Sequence, residues 1–281
     1  MATSADRPAS LPTVLAHAAA RAQTMGPDAR AYWPRHAGRF EFVLRYVQTH
    51  TPPGPRRVLD VGPSFETAMF SAVFPDWQID TLGEGRDERF ALPPPSRHFT
   101  FDLHGAADPQ SWPDFGVRYD TIVFMEVLEH LNVPPRAVLA FLGAQLADGG
   151  FLLLTTPNAA WLKNRLKLLR GRNPFEPLRP GGGGHIREST LAELRTAAQE
   201  AGLECAAAKH CGLYGFTGTK DRFYDAFANA TLPSLRRSLF LVLRKHSQPG
   251  EAGTKPTAGK LESRNPKSET SDKIKTAEKG N

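Results

Sequence analysis

The chain has 281 residues, of which 40% are hydrophobic, and a formal net charge of +6 at pH 7. This length supports one well-buried core with appendages. No run approaches the roughly 18 uninterrupted apolar residues that a membrane span needs, and the first ten residues lack the apolar core of a signal peptide. The composition excludes a membrane-spanning protein, and we expect a cytoplasmic one. The mild positive charge permits an acidic partner without requiring one.

Composition divides the chain into three parts. Residues 1–30 are rich in Ala with weak periodicity, which predicts a weakly ordered segment. Residues 31–246 alternate apolar runs with helical patterns and form the predicted domain. Within the domain, residues 160–184 break the alternation, which predicts a lid or insertion. Residues 247–281 lack aromatic residues and are rich in Lys, Glu, Ser and Gly, so we expect a disordered tail.

The domain begins with a helical stripe over Tyr32–Gln48, which the breaker cluster Thr51–Pro55 ends. Short apolar runs then alternate with helical segments, a pattern typical of a parallel sheet with crossover helices. Helices are predicted over Glu66–Phe74, Pro134–Leu146 and Thr190–Ala201. Seven strands are predicted, namely Arg57–Val61, Trp77–Leu82, His98–Phe101, Thr121–Phe124, Phe151–Thr155, Leu203–Lys209 and Ser238–Leu243.

Gly62 follows the first strand, and a loop then leads into a helix whose free backbone amides face the same edge. The loop continues as PSFET rather than GxGxxG, which disfavours a dinucleotide because a pyrophosphate needs the second glycine. A carboxylate about 20 residues further on accepts hydrogen bonds from ribose hydroxyls in such folds. Glu84 follows the second strand and is favoured for this role over Asp80, which lies inside the apolar run.

The third and fourth strands also end in acidic residues. Asp102 closes the third strand, and a carboxylate there suits an adenine amino group. The fourth strand runs into Glu126, Glu129 and His130. A Glu/His pair is compatible with a metal or an acid–base site. Because no second histidine stands at metal-ligand spacing, the sequence predicts no metal site here.

Four blocks in order, VLDVG, YDTIVFMEVLEHL, LADGGFLLLTTPN and GHIREST, resemble the class I S-adenosylmethionine-dependent methyltransferases. Within them they resemble the group related to the ubiquinone-biosynthesis O-methyltransferases, over residues 56–245. The resemblance implies an α/β, Rossmann-like fold, with a seven-stranded, mostly parallel sheet, helices on both faces and an antiparallel last strand. It also implies S-adenosylmethionine as cofactor, across the carboxyl ends of strands one to four.

The resemblance assigns each part of the cofactor to positions of this chain. It places the methionine part beside the first strand, the ribose beside the second, the adenine beside the third, and the sulfonium end above the fourth. The implied residues are Asp60 and Gly62 for the methionine part and Glu84 for the ribose. Asp102 and Leu103 are implied for the adenine, and Glu126 for the sulfonium end.

Methylation of a hydroxyl also needs a group that removes its proton, and a histidine that titrates near neutrality suits this role. His185, in a Gly-rich loop, and His130, at the end of the fourth strand, are the predicted catalytic residues. The structural alternatives are that His130 caps or packs a helix and that His185 orders its loop. The predicted reaction is O-methylation of a small-molecule, lipid-linked or glycan acceptor.

Residues 161–172 (WLKNRLKLLRGR) interleave apolar and basic side chains. Three interpretations stay open: a helix that makes peripheral contact with a membrane, a lid that binds phosphate or a sugar nucleotide, and a solvated helix packed on the domain. No nucleic-acid partner is expected, because no extra nucleic-acid module is visible. Two alternative functions remain, a non-catalytic methyltransferase-like binding subunit, which the altered glycine loop favours, and an RNA or protein methyltransferase.

Overall fold

The computed structural model describes residues 9–177, 184–215 and 218–245. A seven-stranded sheet organises these residues, with the strand order β3-β2-β1-β4-β5-β7-β6. The strands are β1 Arg56–Val61, β2 Trp77–Gly83, β3 His98–Thr100, β4 Tyr119–Met125, β5 Leu146–Pro157, β6 Leu203–Cys211 and β7 Ser238–Lys245.

The strand directions confirm the predicted fold class. β1 pairs in parallel with β2 and β4, and the parallel pairing continues to β3 on one side and to β5 on the other. β7 runs antiparallel to both of its neighbours, β5 and β6. The chain therefore moves outward from β1 to β3, returns, and continues on the other side with β4. Such a reversal opens a crevice at the carboxyl ends of the two central strands, where α/β proteins bind ligands.

Helices cover both faces of the sheet because the central strands are buried on both sides. The helices are α1 Leu11–Thr24, α2 Pro27–His50, α3 Phe65–Val73, α4 Pro135–Gln145, α5 Leu162–Leu169, α6 Leu191–Glu200 and α7 Thr219–Ala230. Val58 of β1 and Val123 of β4 belong to the core beneath α1, α2 and α3, whereas Leu59 and Ile122 belong to the core beneath α4 and α6.

The N-terminal segment corrects one prediction. Weak order was expected for residues 1–30, but Leu11–Thr24 forms α1. Its buried residues, Leu11, Val14, Ala18 and Ala22, recur at helical spacing and pack against α2 and α3. Alanine has the highest helix propensity and lets helices approach closely, so the Ala-rich composition that suggested weak order instead supports a packed helix. Residues 1–8 and the predicted tail at 247–281 lie outside the described residues.

The predicted insertion at 160–184 lies between β5 and α6 and contains α5. Residues 178–183, which include three of the four consecutive glycines, are not among the described residues. The helix α6 begins with a capping box, in which Thr190 and Glu193 satisfy each other's backbone amides. Among the helices described, none is long and apolar enough to cross a membrane.

Candidate functional site

Two adjoining cavities open at the carboxyl edge of the sheet. The smaller, of about 370 Å³, lies at the ends of β1 and β2. The larger, of about 580 Å³, lies in front of β4 and β5. Both volumes fall in the range of roughly 300–1,000 Å³ that is usual for small-molecule sites. The cavities adjoin because Glu126 lines the larger one and the next residue, Val127, lines the smaller.

Gly62 forms the floor of the smaller cavity at the end of β1. Its φ of +75° lies in the left-handed region, and a Cβ there would stand 2.6 Å from Val127 Cγ2. Only glycine fits both the backbone conformation and the close approach. The remaining wall is mostly apolar and includes Pro63, Leu82, Phe101, Leu103 and Leu131, with the carboxylates of Glu84 and Asp87 beside them. The cavity therefore suits a flat apolar group that carries polar edges.

The two carboxylates considered for a ribose have different environments. Asp80 is buried and binds two side chains, with its Oδ2 accepting from Arg97 Nη2 at 2.8 Å and from the Tyr119 hydroxyl at 2.9 Å. Glu84 is exposed and lines the smaller cavity. The structure therefore leaves Glu84, and not Asp80, available to a ligand in this cavity.

Two of the predicted cofactor ligands line neither cavity. Asp60 is buried, and its Oδ2 accepts from Thr67 Oγ1 at 2.5 Å under the start of α3. Burial raises the pKa of Asp60, and the neighbouring Glu66 raises it further. Asp102 caps the turn that follows β3, accepting from the backbone and ring nitrogens of His104. Leu103, beside it, does line the cavity.

The helix α2 supplies a polar face that the sequence prediction missed. Arg39 is buried, and its guanidinium donates to the Tyr32 hydroxyl at 2.8 Å and to His36 Nδ1 at 3.1 Å. Because His36 Nδ1 accepts, its proton resides on Nε2. Burial, with Arg39 nearby, lowers the pKa of His36 to about 3, so the ring stays neutral. Tyr32, His36 and Arg39 stand at positions i, i+4 and i+7, and this spacing in the sequence indicates that they share one face of the helix.

Glu126 stands at the end of β4 with a φ of +55°, an uncommon conformation for a residue with a side chain. Its Oε2 accepts a hydrogen bond from the Tyr214 hydroxyl and lies 3.8 Å from Arg39 Nη1. Its buried Oε1 has no hydrogen-bond partner among the residues described. Backbone strain of this kind concentrates at ligand-binding sites, and Glu126 lines the larger cavity.

The predicted histidines come together at the larger cavity with their Nε2 atoms on the same side. His130 Nδ1 lies 2.9 Å from the Gly184 carbonyl, and His185 Nδ1 lies 3.0 Å from Glu188 Oε1. Both Nδ1 atoms therefore donate, which leaves each Nε2 with a free lone pair. Each Nε2 lies 4.0 Å from Glu129 Oε1.

Glu129 is the buried member of this group. Thr156 Oγ1 donates to its Oε2 at 3.1 Å, whereas its Oε1 has no hydrogen-bond partner in the described part of the chain. Burial raises the pKa of Glu129. The contact with Glu188 raises the pKa of His185. Glu188 itself is held by the buried Asn164, which donates to its second oxygen at 3.0 Å.

The group formed by Glu129, His130 and His185 has two chemical uses. A free imidazole nitrogen can accept a proton from a hydroxyl in the larger cavity. One carboxylate and two imidazoles within 4.8 Å of one another are also a ligand set for a divalent cation. The sequence predicted no metal site because it lacked a second histidine at local spacing; the fold supplies that histidine from the segment after β5.

The comparisons with known proteins agree with this geometry. A family model described as a methyltransferase domain matches residues 35–208. The chain belongs to this methyltransferase family. The matched range runs from α2 to β6 and includes the smaller cavity and the end of β4.

Solved structures share the fold of this methyltransferase at low identity. One is an S-adenosylmethionine-dependent methyltransferase from Clostridium acetobutylicum, with a TM-score of 0.51, 10% identity, and coverage of 84% of this chain and 100% of that one. Another holds the Haloferax volcanii Trm112 methyltransferase activator in complex with a protein assigned as a methyltransferase. It has a TM-score of 0.50 and 13% identity, and covers 83% of this chain and 97% of that one. No curated protein sequence matches.

Proposed function

We propose that this methyltransferase binds S-adenosylmethionine in the smaller cavity and methylates a hydroxyl of an acceptor bound in the larger one. The observation that carries the proposal is the boundary between the cavities at Glu126 and Val127. Methyl transfer needs a cofactor and an acceptor that meet at one point in line, and adjoining cavities on the ligand-binding edge of the sheet provide that arrangement.

The residues of the smaller cavity fit the cofactor part by part. Leu103 and the other apolar side chains suit the adenine ring, and Glu84 beside them suits the ribose hydroxyls. Glu126, at the boundary with the larger cavity, has a buried carboxylate oxygen without a hydrogen-bond partner among the residues described. A carboxylate there suits the ammonium and sulfonium charges of the methionine end. The cofactor carries no phosphate, so the absent loop glycines do not count against it.

When bound, S-adenosylmethionine supplies an electrophilic methyl group on a positively charged sulfur. An acceptor hydroxyl that takes this methyl group must lose its proton. His185 Nε2 takes the hydroxyl proton. Glu188 orients this imidazole and raises its pKa, which makes it a stronger base. Glu126, at the boundary, positions the two reactants.

The same cluster fits a divalent cation. Glu129 Oε1, His130 Nε2 and His185 Nε2 would hold it, and the carbonyl of Gly184 and the carboxylate of Glu188 already orient the two rings. Histidine ligands of metals characteristically donate their other nitrogen in this way. A cation there would occupy the Nε2 lone pair that His185 needs to take the proton, so it would inhibit methyl transfer through this base.

The acceptor that suits the larger cavity is polar. The wall of this cavity carries both basic side chains, Arg35, Lys163 and Lys167, and acidic ones, Glu176 and Asp221. Such a wall suits a small molecule or glycan with several hydroxyls, or the polar head of a lipid-linked acceptor. The succession of sequence blocks supports placing the chain near the ubiquinone-biosynthesis O-methyltransferase group, and with it O-methylation.

The test has two measurements on the full chain. We expect titration calorimetry to show that S-adenosylmethionine binds, and that it binds His185→Ala equally well. With a polar acceptor that carries hydroxyl groups, we expect turnover of His185→Ala to be about 100-fold lower than that of the wild type, because the general base is lost. Absence of cofactor binding by the wild type would favour the non-catalytic binding subunit. Unchanged turnover of His185→Ala would show that His185 is not the base. Methylation of RNA or protein alone would overturn the proposal of a small-molecule, lipid-linked or glycan acceptor.

A further inference from the structure

Large exposed hydrophobic side chains are confined to one part of the described chain. All of them lie between Leu168 and Leu232, and the described residues before Leu168 expose none. Two are at the end of α5, where Leu168 is 59% exposed and Leu169 is 82% exposed. Two more, Phe223 at 68% and Phe227 at 46%, are on α7. Concentration of apolar surface in one region marks an interaction site.

The apolar side chains of α5 are set among positive charges. Residues 161–173 contain five basic residues and no acidic residue. Arg165, Arg170 and Arg172 are exposed. Exposed apolar groups surrounded by uniformly basic ones are typical of helices that lie at the surface of an anionic bilayer.

The helices α5 and α7 belong to one surface region. They contact each other, and Lys163 Nζ binds Asp221 Oδ1 at 3.0 Å. On α7, Phe223 and Phe227 are four residues apart and share one side of the helix. Lys163, Lys167 and Asp221 also line the larger cavity. We call the exposed side chains of α5 and α7, with Arg170 and Arg172, the α5–α7 surface.

We propose that the α5–α7 surface docks on an anionic lipid bilayer and holds the larger cavity beside it. The apolar side chains enter the boundary between headgroups and acyl chains, and the basic side chains bind lipid phosphates. The charge of residues 161–173 complements an anionic surface. A lipid-linked acceptor would then reach the cavity without leaving the bilayer. Binding to vesicles is measured without cofactor or acceptor. A failure to bind would therefore overturn the docking proposal and leave the proposed methyl transfer untouched.

The test is cosedimentation of the full chain with vesicles of two compositions. One is phosphatidylcholine alone, and the other is phosphatidylcholine mixed equally with phosphatidylglycerol. We expect binding to the mixed vesicles that weakens as salt is added, because surface electrostatics are screened, and weak or no binding to the neutral ones. A chain that stays in the supernatant with both compositions overturns the proposal and leaves a protein partner as the occupant of this surface.

Two independent pairs of substitutions test the two helices. We expect Leu168→Glu with Leu169→Glu, and separately Phe223→Glu with Phe227→Glu, to lower binding to the mixed vesicles by about tenfold. Gln23→Glu combined with Gln48→Glu adds the same charge at exposed positions of α1 and α2 and should bind like the wild type. Thermal unfolding of each variant establishes that it is folded. Folded variants of both pairs that bind as well as this control overturn the proposal.

Discussion

His185 Nδ1 lies 3.0 Å from Glu188 Oε1, and this contact sets which nitrogen of His185 faces the larger cavity. We expect Glu188→Gln to lower kcat by about tenfold, because loss of a partner that orients a functional histidine typically costs 10–100-fold. The affinity for S-adenosylmethionine should not change, since Glu188 lines only the larger cavity. Steady-state kinetics and calorimetry measure the two quantities.

Glu200→Gln is the matched control, because Glu200 is exposed at the end of α6. Combining Glu188→Gln with His185→Ala should cost no more than His185→Ala alone, since Glu188 acts through that imidazole. Additive losses in the double variant would show that Glu188 acts on the acceptor directly.

The ligand set of Glu129, His130 and His185 predicts a binding site for a divalent cation. Because a bound cation occupies the Nε2 lone pair with which His185 takes the proton, we expect added Mn²⁺ or Zn²⁺ to inhibit turnover and a chelator to restore it. Glu129→Gln should lower the affinity for the cation by about 10-fold or more, because it removes the charged ligand. Glu176→Gln, on the same cavity wall but outside the ligand set, is the control. Equal cation affinity in Glu129→Gln and the wild type would rule out this site.

Gly62 combines a left-handed backbone with a close approach to Val127, so its substitution has two costs. We expect Gly62→Ala to destabilise the fold by about 1–3 kcal/mol and to weaken cofactor binding as Val127 shifts. Gly202 has nearly the same φ, of +73°, but nothing lies within 4 Å of its Cβ position. Gly202→Ala therefore measures the backbone cost alone. Equal losses of stability and unchanged cofactor affinity in both variants would contradict the role of the close approach.

Periodicity and strand ends were enough to predict the sheet, because β1, β4 and β5 are buried apolar runs that any α/β arrangement must cover on both faces. The same reasoning predicted Glu84, because ligands bind at the carboxyl ends of parallel strands, and Glu84 lines the smaller cavity. It misjudged Leu11–Thr24, where helix propensity and tertiary packing outweighed a weak pattern.

The sequence did not predict which side chains contact each other. Asp60 was predicted to contact the cofactor, but the chain supplies Thr67 as its partner under α3. His130 and His185 were predicted separately, and only the fold shows that both face Glu129. Contacts of this kind join distant segments through the path of the backbone, which local spacing does not encode.

Glu66 makes the stability of the fold depend on pH. It is buried in the first turn of α3, and burial raises its pKa from 4.5 to about 7. The folded protein therefore keeps a proton on Glu66 that the unfolded chain releases. The stabilising contribution is complete below pH 4.5 and is lost as the pH rises through about 7. We expect the free energy of unfolding to fall by on the order of 3 kcal/mol across this window.

Glu66→Gln removes this titration while keeping a neutral side chain of the same size. We expect the variant to match the wild type at about pH 5 and to be more stable than it at about pH 8, because the amide needs no proton to remain neutral. Urea unfolding at the two pH values measures the difference. Glu41→Gln is the control, since Glu41 is exposed in an ion pair with Arg45. A variant that loses as much stability as the wild type between the two pH values would show that Glu66 is ionised in the folded protein.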